Sequence, residues 1–313
     1  MIFSTIDIGT NTILMAILAA APDGTIEILG DEHAIARLGR GVDAARMILP
    51  ETFDRLEGHL LRYREIARSL GAERIVAFGT SALRDAWNSH EFIEAMRERT
   101  GITIEVVSGE EEAEMTYRGA LFGLPPSPRR RGVIDIGGGS TEIAVGTGRH
   151  LERSISIDVG AVRVTERFFP ALPPDAGQVE MARAYIRREL GKGFDLPADV
   201  EMVGVAGTVT TLGAMAARLT AFDAEELNGF RLTCEEIEET TLHLCRMPVE
   251  QIRGLNGVHP DRADVLPGGA LVLDEFMRMQ DLPGIIVSTR GVRYGMALRE
   301  IERIGGQGTF TDY

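Results

Sequence analysis

The sequence predicts an α/β fold in which one βββαβαβα plan is built twice. Two successive runs of strand and helix patterns occupy the 313 residues, and an Asp-Ile-Gly turn recurs at Asp7 and Asp135, 128 residues apart. A proline-rich stretch, Leu124–Pro128, separates the two runs. We therefore expect two domains, residues 1–124 and 125–313, with the last helix a candidate to pack across onto the first domain.

The first half begins with strand-like runs and continues with helices and strands in turn. Three strands are predicted over Ile2–Ile8, Thr12–Ala20 and Thr25–Ala36. Helical spacing of apolar residues such as Leu56, Leu60 and Tyr63 predicts a helix over Glu51–Leu70. The remaining predictions are a strand Arg74–Gly79, a helix ending at Met96, a strand Ile102–Ser108 and a helix Glu110–Phe122. Antiparallel strands followed by alternating helices and strands indicate a mixed sheet with helices on its faces.

The second half restarts the same order after the proline-rich stretch. The predicted strands are Gly132–Ile136, Thr141–Gly146, Arg153–Asp158, Glu201–Ala206 and Ile285–Thr289, and a last helix begins at Val292. Extra helices are expected between the final strands, at about residues 211–280. The two halves are therefore interpreted as copies of one plan.

Composition and charge exclude several classes of function. The net charge of −14 disfavours binding to nucleic acid or anionic membranes. The single lysine, Lys192, precedes a glycine rather than Ser or Thr, which excludes a Walker-type P-loop. The longest apolar run, Ile13–Ala21, is too short to span a membrane. Cys234 and Cys245 are interpreted as reduced packing residues of a cytoplasmic protein, and isolated histidines make a zinc site improbable.

Three glycine- and hydroxyl-rich segments have the composition of anion-binding turns. Thr10, Asn11 and Thr12 follow the first strand, and Gly138, Gly139, Ser140 and Thr141 follow the first strand of the second half. One such turn alone is better explained as an ordinary hairpin, whereas two copies at domain spacing favour phosphate binding. A third segment containing Gly207 and Thr208 leads from a strand into a helix predicted to begin at about Val209, which suits an anion but is also a common connection.

Acidic residues near these turns are candidates for metal binding and for proton transfer. Asp135 and Glu142 flank the second turn and could hold Mg²⁺ together with substrate phosphates, with Asp7 as a third candidate ligand. Ser108 is followed by Gly and then by three glutamates, 110–112, in the first turn of a helix. The helix dipole alone accounts for such acids, and one of them could instead be a general base. The spacing does not say which one.

Arginines that follow predicted strands are candidates for contacts with phosphoryl oxygens. Arg84 follows the strand Arg74–Gly79, and Arg163 and Arg293 have similar positions. A basic helical stripe could guide a polyanion, although such a stripe is more often a solvated face. Its members are Arg183, Arg187, Arg188 and Lys192.

These motifs together resemble the exopolyphosphatase and guanosine pentaphosphate phosphohydrolase (Ppx/GppA) family. The duplicated plan and Asp-Ile-Gly turns resemble the actin/Hsp70/sugar-kinase superfold, and the Ser-Gly-x-Glu-Glu-Ala form, the Asp135–Glu142 block and Arg84 resemble this family within it. The similarity runs from about residue 3 to residue 300. It implies two RNase H-like (actin-like ATPase) domains with an interdomain cleft. No His-Asp dipeptide occurs, so the chain resembles the short, two-domain members.

The resemblance implies roles for particular residues. Glu112 is the implied catalytic base, with Asp135 and Glu142 positioning the metal. The Ser-Asn-Ser turn of the family reads Thr10-Asn11-Thr12 here, which keeps both hydroxyls and adds methyl groups. Near the C-terminus a family glutamate is replaced by Tyr294, which leaves the role of that loop open.

The expected function is metal-dependent hydrolysis of the terminal phosphate of inorganic polyphosphate, especially of short chains. Guanosine pentaphosphate is the alternative substrate, and the sequence does not separate the two. A sugar- or acetate-kinase-like phosphotransferase, a non-enzymatic phosphate sensor and a filament subunit rank lower. The choice between Mg²⁺ and Mn²⁺, a requirement for K⁺ and a homodimeric state stay open.

Overall fold

The structure is a computed structural model that describes residues 1–21 and 25–305, with only the backbone for residues 304 and 305. The described chain forms two compact units. Residues 1–122 and the C-terminal segment from Val292 make the first unit, and Gly123–Gly291 makes the second. Among the described helices, none combines the length and apolar character needed to cross a membrane.

The first unit is a five-stranded mixed sheet with helices on both faces. Its strands are β1 (Ile2–Ile8), β2 (Thr12–Ala20), β3 (Ile26–Ile35), β4 (Arg74–Gly79) and β5 (Ile104–Val106). Its helices are α1 (Val42–Ala45), α2 (Pro50–Ser69), α3 (Ser81–Asp85), α4 (Ser89–Thr100), α5 (Gly109–Leu121) and the C-terminal α13 (Val292–Gly305). The strand order is β3-β2-β1-β4-β5, with β1, β4 and β5 parallel to one another.

Alternation along β1 divides its side chains between the two faces of this sheet. Ile6 and Ile8 enter a core that includes Leu60 of α2 and Phe92 of α4. Phe3 lies on the other face with residues of α13, and the Thr5 hydroxyl donates to the Arg293 carbonyl at 2.9 Å. Strand alternation therefore directs Asp7, two residues beyond Thr5, to the α13 face.

Helices α5 and α13 pack together with their backbones in close approach. A Cβ at Gly295 would lie 1.7 Å from the Met115 carbonyl oxygen, so only glycine fits at this crossing. Phe78 and Val107 from the sheet side pack with Met115 of α5 in one apolar cluster. The last helix is thus an integral part of the first unit's core.

The second unit contains a six-stranded mixed sheet with the order β10-β11-β9-β6-β7-β8. Its strands are β6 (Arg131–Ile136), β7 (Thr141–Thr147), β8 (His150–Ile157), β9 (Glu201–Val205), β10 (Arg231–Thr233) and β11 (Gly284–Val287). Its helices are α6 (Ala161–Phe168), α7 (Ala176–Leu190), α8 (Ala206–Ala216), α9 (Ala224–Leu227), α10 (Cys234–Leu244), α11 (Val249–Arg253) and α12 (Leu266–Met279), with a 3₁₀ turn at Pro260–Arg262. One continuous apolar core joins the sheet to these helices.

The predicted α/β class and the two mixed sheets are confirmed, whereas two local predictions are wrong and one short strand was not predicted. The helix expected to end at Met96 is two helices, because the chain is extended at Ala86 and the Asn88 side chain bonds to Ile48. Strand β10 was not predicted, since three residues carry too little pattern. Helix α8 begins directly after β9, at Ala206, rather than near Val209, because Ala206 adopts a positive φ of 66° that turns the chain sharply.

Candidate active site

The candidate residues of the first unit meet at one edge of its sheet. Parallel strands β1, β4 and β5 end at the same edge, where the turn at Thr10, the helix bearing Arg84 and the start of α5 follow them. Ligands of open α/β sheets bind outside the carboxyl ends of the strands. The fold therefore gathers these three segments where a ligand is expected.

The two Asp-Ile-Gly turns share an equivalent backbone hydrogen bond. In the first, the Gly9 N–H donates to the Thr12 carbonyl at 2.9 Å. In the second, the Gly137 N–H donates to the Ser140 carbonyl at 3.0 Å, at positions displaced by the same 128 residues. The repeat inferred from the sequence thus extends to the hydrogen bonding of the turn itself.

The carbonyl groups of the second turn are held by the segment that begins α6. The Gly137 carbonyl accepts from Ala161 N–H at 2.9 Å, and the Gly138 carbonyl accepts from Val162 N–H at 2.9 Å. The Gly139 carbonyl accepts from Arg163 Nε at 2.7 Å. In a trans peptide, the next N–H points opposite to the carbonyl. The N–H groups of residues 138–140 therefore point away from α6, as in an anion-binding nest.

Arg163 and Arg293, two candidates for contacts with phosphoryl oxygens, both make hydrogen bonds within their own units. The Arg163 guanidinium is buried and braces the turn through Gly139. Arg293 forms a two-pronged ion pair with Asp31, from Nε at 3.2 Å and Nη2 at 2.8 Å. The Tyr294 hydroxyl donates to the same carboxylate, and the Arg293 guanidinium lies 4.8 Å from the centroid of that ring. Tyr294 therefore shares an ion-pair network within the first unit.

Glu112 is distinguished from its two neighbouring glutamates by burial. Glu111 completes a capping box, in which Ser108 Oγ accepts from Glu111 N–H at 3.1 Å and Glu111 Oε2 accepts from Ser108 N–H at 2.8 Å. Glu110 is exposed. Glu112 is only 7% exposed and accepts from Arg84 Nη1 at 2.6 Å. The three glutamates thus have different environments, since Glu111 caps the helix, Glu110 is exposed to solvent and Glu112 is buried. The sequence spacing alone did not distinguish them.

Two opposing influences act on the Glu112 carboxyl. Burial raises its pKa above the usual value of a glutamate, and the Arg84 guanidinium opposes that rise. Arg84 Nη1 also donates to the Val107 carbonyl at 3.1 Å, so its position is fixed by the strand end as well as by the carboxylate. A carboxylate with a raised pKa is a better proton acceptor than one in water.

Asp135 and Glu142 form a buried acidic pair in the second unit. They are direct cross-strand partners of β6 and β7, so their side chains leave the same face of the sheet. Asp135 is 8% exposed and Glu142 is 1% exposed, with Glu142 Oε1 accepting from Ser156 Oγ at 2.6 Å. Like charges directly opposite each other repel, and a divalent cation between carboxylate oxygens relieves that repulsion.

The strand that follows the first turn has an apolar residue at the position that corresponds to Glu142. Asp7 faces Leu14 across β1 and β2, as Asp135 faces Glu142. Asp7 thus lacks an acidic cross-strand partner in its own unit. Within residues 1–21 and 25–305, no three His, Cys, Asp or Glu side chains cluster closely enough to hold a metal unaided. The donor set therefore fits a metal that takes further oxygen ligands from a phosphate substrate.

The third segment contains an arginine contact that sequence reasoning missed. Arg262 lies against Gly207 at the start of α8, where a Cβ would fall 1.1 Å from its Nη1. Arg262 keeps some accessible surface, yet burial among protein atoms lowers its pKa to about 10. It stays charged at neutral pH, beside a helix N-terminus that also favours anions. Thr208 is buried against Gly269, so its hydroxyl faces α12.

The basic stripe on α7 is occupied by intramolecular ion pairs. Arg183 contacts Asp274 at 2.7 Å, and Arg187 contacts Glu180 at 2.8 Å. Arg188 and Lys192 both pair with Glu189. Each of these basic residues thus has an acidic neighbour in its own unit, and the guidance of a polyanion by this stripe stays a prediction.

Comparisons with known proteins agree with this fold and set of motifs. Residues 17–304 match the Ppx/GppA phosphatase family. Exopolyphosphatase 2 of Mycobacterium tuberculosis is 36% identical over 310 residues, covering 94% of this chain and 97% of the relative. A crystal structure of the Aquifex aeolicus Ppx/GppA family member has a TM-score of 0.81 and 28% identity, covering 97% of this chain and 98% of that one.

A more distant relative has a different named activity. The guanosine-5'-triphosphate,3'-diphosphate pyrophosphatase of Vibrio parahaemolyticus is 27% identical, with 97% of this chain matching 60% of that protein. The duplicated α/β fold and the family match together identify a phosphatase of the actin-like class. The chain belongs to the Ppx/GppA phosphatase family, as its sequence motifs predicted, and members of this family generally depend on a divalent metal.

Proposed function

We propose that this chain is an exopolyphosphatase, which hydrolyses the terminal phosphate of inorganic polyphosphate in the cytoplasm. The observation that carries the proposal is the buried Glu112–Arg84 pair at the ligand-binding edge of the first unit. The exopolyphosphatase of M. tuberculosis matches nearly the full length of the chain, which supports the same substrate class. The free thiols Cys234 and Cys245 support the cytoplasmic location.

In this proposal Glu112 is the general base. Its carboxylate accepts a proton from water while the water oxygen forms a bond to the terminal phosphorus. The bridging P–O bond breaks, and its electron pair stays with the shortened chain, so the products are inorganic phosphate and a polyphosphate with one unit fewer. Arg84 fixes the carboxylate through Nη1, and its remaining N–H groups are donors for a phosphoryl oxygen. Phosphoryl transfer depends mainly on such positioning.

The anion-binding turns hold phosphate groups in this mechanism. Backbone N–H groups of Gly138, Gly139 and Ser140 donate to phosphoryl oxygens, and Thr10, Asn11 and Thr12 provide the corresponding turn in the first unit. Gly207 and Thr208 contribute the N-terminus of α8, beside the Arg262 cation. Local positive groups of this kind outweigh the net charge of −14, since exposed charges farther than about 8–10 Å are screened at physiological salt.

We propose Asp135 and Glu142 as the holders of Mg²⁺, with Asp7 as a further candidate ligand. The support is the buried, cross-strand position of the first two carboxylates. When bound there, the ion would neutralise negative charge on phosphoryl oxygens. Ser156 orients the Glu142 carboxylate through a hydrogen bond to Oε1.

Hydrolysis of the 5′-terminal phosphate of guanosine pentaphosphate is the second candidate function. The relative in V. parahaemolyticus, named for guanosine-5'-triphosphate,3'-diphosphate, favours it. Both substrates end in a phosphoanhydride, so the proposed roles of Glu112 and Arg84 are the same for each.

The experiment that tests the proposal is release of phosphate by purified protein with Mg²⁺. The substrates are short polyphosphate, long polyphosphate, guanosine pentaphosphate and ATP. Glu112→Gln is expected to lower kcat on polyphosphate by about 10²- to 10⁴-fold, the usual contribution of a general base. Glu111→Gln is the matched control, because glutamine also completes a capping box. Absence of release from every substrate by the wild-type protein would overturn the proposal.

A further inference from the structure

The feature that the proposed mechanism leaves unused is an exposed tryptophan close to the active-site arginine. Trp87 is the sole tryptophan of the chain, and it is 70% exposed. It follows the short helix α3, three residues after Arg84. Three residues span at most about 11 Å between Cα atoms. The backbone of Trp87 is therefore close to the backbone of Arg84, the residue proposed to contact the terminal phosphate.

The backbone that carries this exposed ring is firmly held. The Trp87 N–H donates to the Arg46 carbonyl at 2.9 Å. The next residue, Asn88, is buried and exchanges two hydrogen bonds with the backbone of Ile48, at 2.9 and 3.0 Å. A large ring on a fixed backbone loses little conformational entropy when it binds a ligand. The arrangement suits a binding surface.

The 37–48 loop, which includes the short helix α1 and holds the backbone of Trp87, also holds the first phosphate turn. This loop follows β3, and the Arg37 N–H donates to the Asn11 carbonyl at 2.9 Å. The Gly39 N–H donates to the Thr10 carbonyl at 2.8 Å, and a Cβ at Gly39 would lie 2.2 Å from the Thr10 methyl carbon. Backbone hydrogen bonds thus connect the phosphate turn, through this loop, to the backbone of Trp87.

Charge and ring chemistry together indicate what this surface binds. Arg40 is exposed on the loop, and Arg46 pairs with Asp85 at 3.3 Å beside the tryptophan. Arginines favour phosphates, whereas an exposed indole gains most from a flat π-system. A nucleotide offers both groups in one molecule, and inorganic polyphosphate offers only the first.

We propose that Trp87 is a stacking platform for the base of a nucleoside polyphosphate whose phosphate chain lies along the 37–48 loop toward the Thr10–Thr12 turn. This inference rests on the proposed function, because it places the phosphate chain at the same turn. It deepens that function by making Trp87 the residue that separates nucleotide substrates from inorganic polyphosphate.

The single tryptophan makes the test direct, because intrinsic tryptophan fluorescence reports on Trp87 alone. Glu112→Gln protein is titrated with GTP, guanosine pentaphosphate and inorganic tripolyphosphate. Saturable quenching by the two nucleotides and not by tripolyphosphate is the expected result. Equal responses to GTP and tripolyphosphate, or no response to either nucleotide, would overturn the proposal.

Kinetics provide a second readout that simple misfolding would not mimic. Trp87→Leu is expected to lower kcat/KM for guanosine pentaphosphate, relative to that for inorganic polyphosphate, by about 5- to 150-fold, the equivalent of losing one stacked base. Trp87→Phe restores most of that ratio because it keeps a ring. Phe222→Leu, at another exposed aromatic residue in the second unit, is the control and leaves the ratio unchanged. An unchanged ratio in Trp87→Leu contradicts the platform.

The two proposals fail in different ways. If the wild-type protein releases phosphate from polyphosphate while nucleotides neither quench nor compete, only the platform is refuted. If no substrate is hydrolysed but nucleotides quench the fluorescence, the hydrolase is refuted and the platform stands.

Discussion

Gly160 tests whether the backbone geometry of the second phosphate turn matters for catalysis. Its φ of −161° is extended, a conformation that alanine adopts without strain, so Gly160→Ala changes only the space occupied. The added Cβ would lie 2.6 Å from the Gly138 carbonyl oxygen and 2.8 Å from that of Gly137. Both atoms are backbone, so the turn itself must move.

The expected loss of stability in Gly160→Ala follows from the backbone atoms that must shift. Forcing extra volume into a packed site costs about 1–3 kcal/mol. A domain of this size loses about 2–4 °C of Tm per kcal/mol, so we expect a decrease of about 2–12 °C. Because the hydrogen bonds from Val162 and Arg163 to the Gly138 carbonyl hold the nest, we also expect a higher KM for polyphosphate.

The assays are thermal unfolding and phosphate release on the same preparation. Gly58→Ala is the control, since nothing lies within 4 Å of a Cβ there and the residue is on an exposed face of α2. That substitution should raise stability by about 0.5–1 kcal/mol and leave KM alone. A Gly160→Ala protein with wild-type Tm and KM would refute the reasoning.

Three further predictions follow from other contacts. Burial raises the pKa of Glu112 and Arg84 opposes that rise, so kcat/KM should fall at low pH as Glu112 becomes protonated. Arg84→Gln should move this acid limb of the kcat/KM profile to higher pH. An acid limb that does not move contradicts the pairing. Mg²⁺ at a hundredfold excess over Kd should stabilise the protein by about 2.7 kcal/mol in thermal unfolding, and a Glu142→Gln protein that gains equally would exclude this carboxylate as a ligand. Asp31→Ala should lower the free energy of unfolding, measured with urea, by about 1–3 kcal/mol. The loss is smaller than for a fully buried ion pair because the Asp31 side chain is 35% exposed. An unchanged free energy of unfolding would assign Arg293 another partner.

Local pattern was sufficient for most of the fold. Strand Arg74–Gly79 was predicted with its observed bounds, and helix α2 within one residue at each end. The duplicated turn was visible because its residues are contiguous in the sequence. Prediction succeeded where neighbours in the chain determine the structure.

Contacts between distant residues account for what the sequence did not reveal. The break before α4 depends on Asn88 bonding to Ile48, forty residues earlier. Arg262 reaches Gly207 from a segment 55 residues away, and Arg293 pairs with Asp31 across 262 residues. No periodicity encodes such pairings.

The choice among the three glutamates of α5 also required the structure. All three lie in the first turn of the helix, where the dipole favours each equally. Only the packing around the helix makes one of them buried and gives it Arg84 as a partner.

The position of α13 has a consequence for the order in which the protein folds during its synthesis. This helix packs against α5, yet about 170 residues of the second unit are translated between them. At about 5–20 residues per second, the ribosome needs roughly 10–30 s to produce that interval. Throughout this time the nascent first unit exposes the apolar face of α5 and β1 that α13 later covers. The first unit to be translated therefore cannot complete its core until α13 has been synthesised.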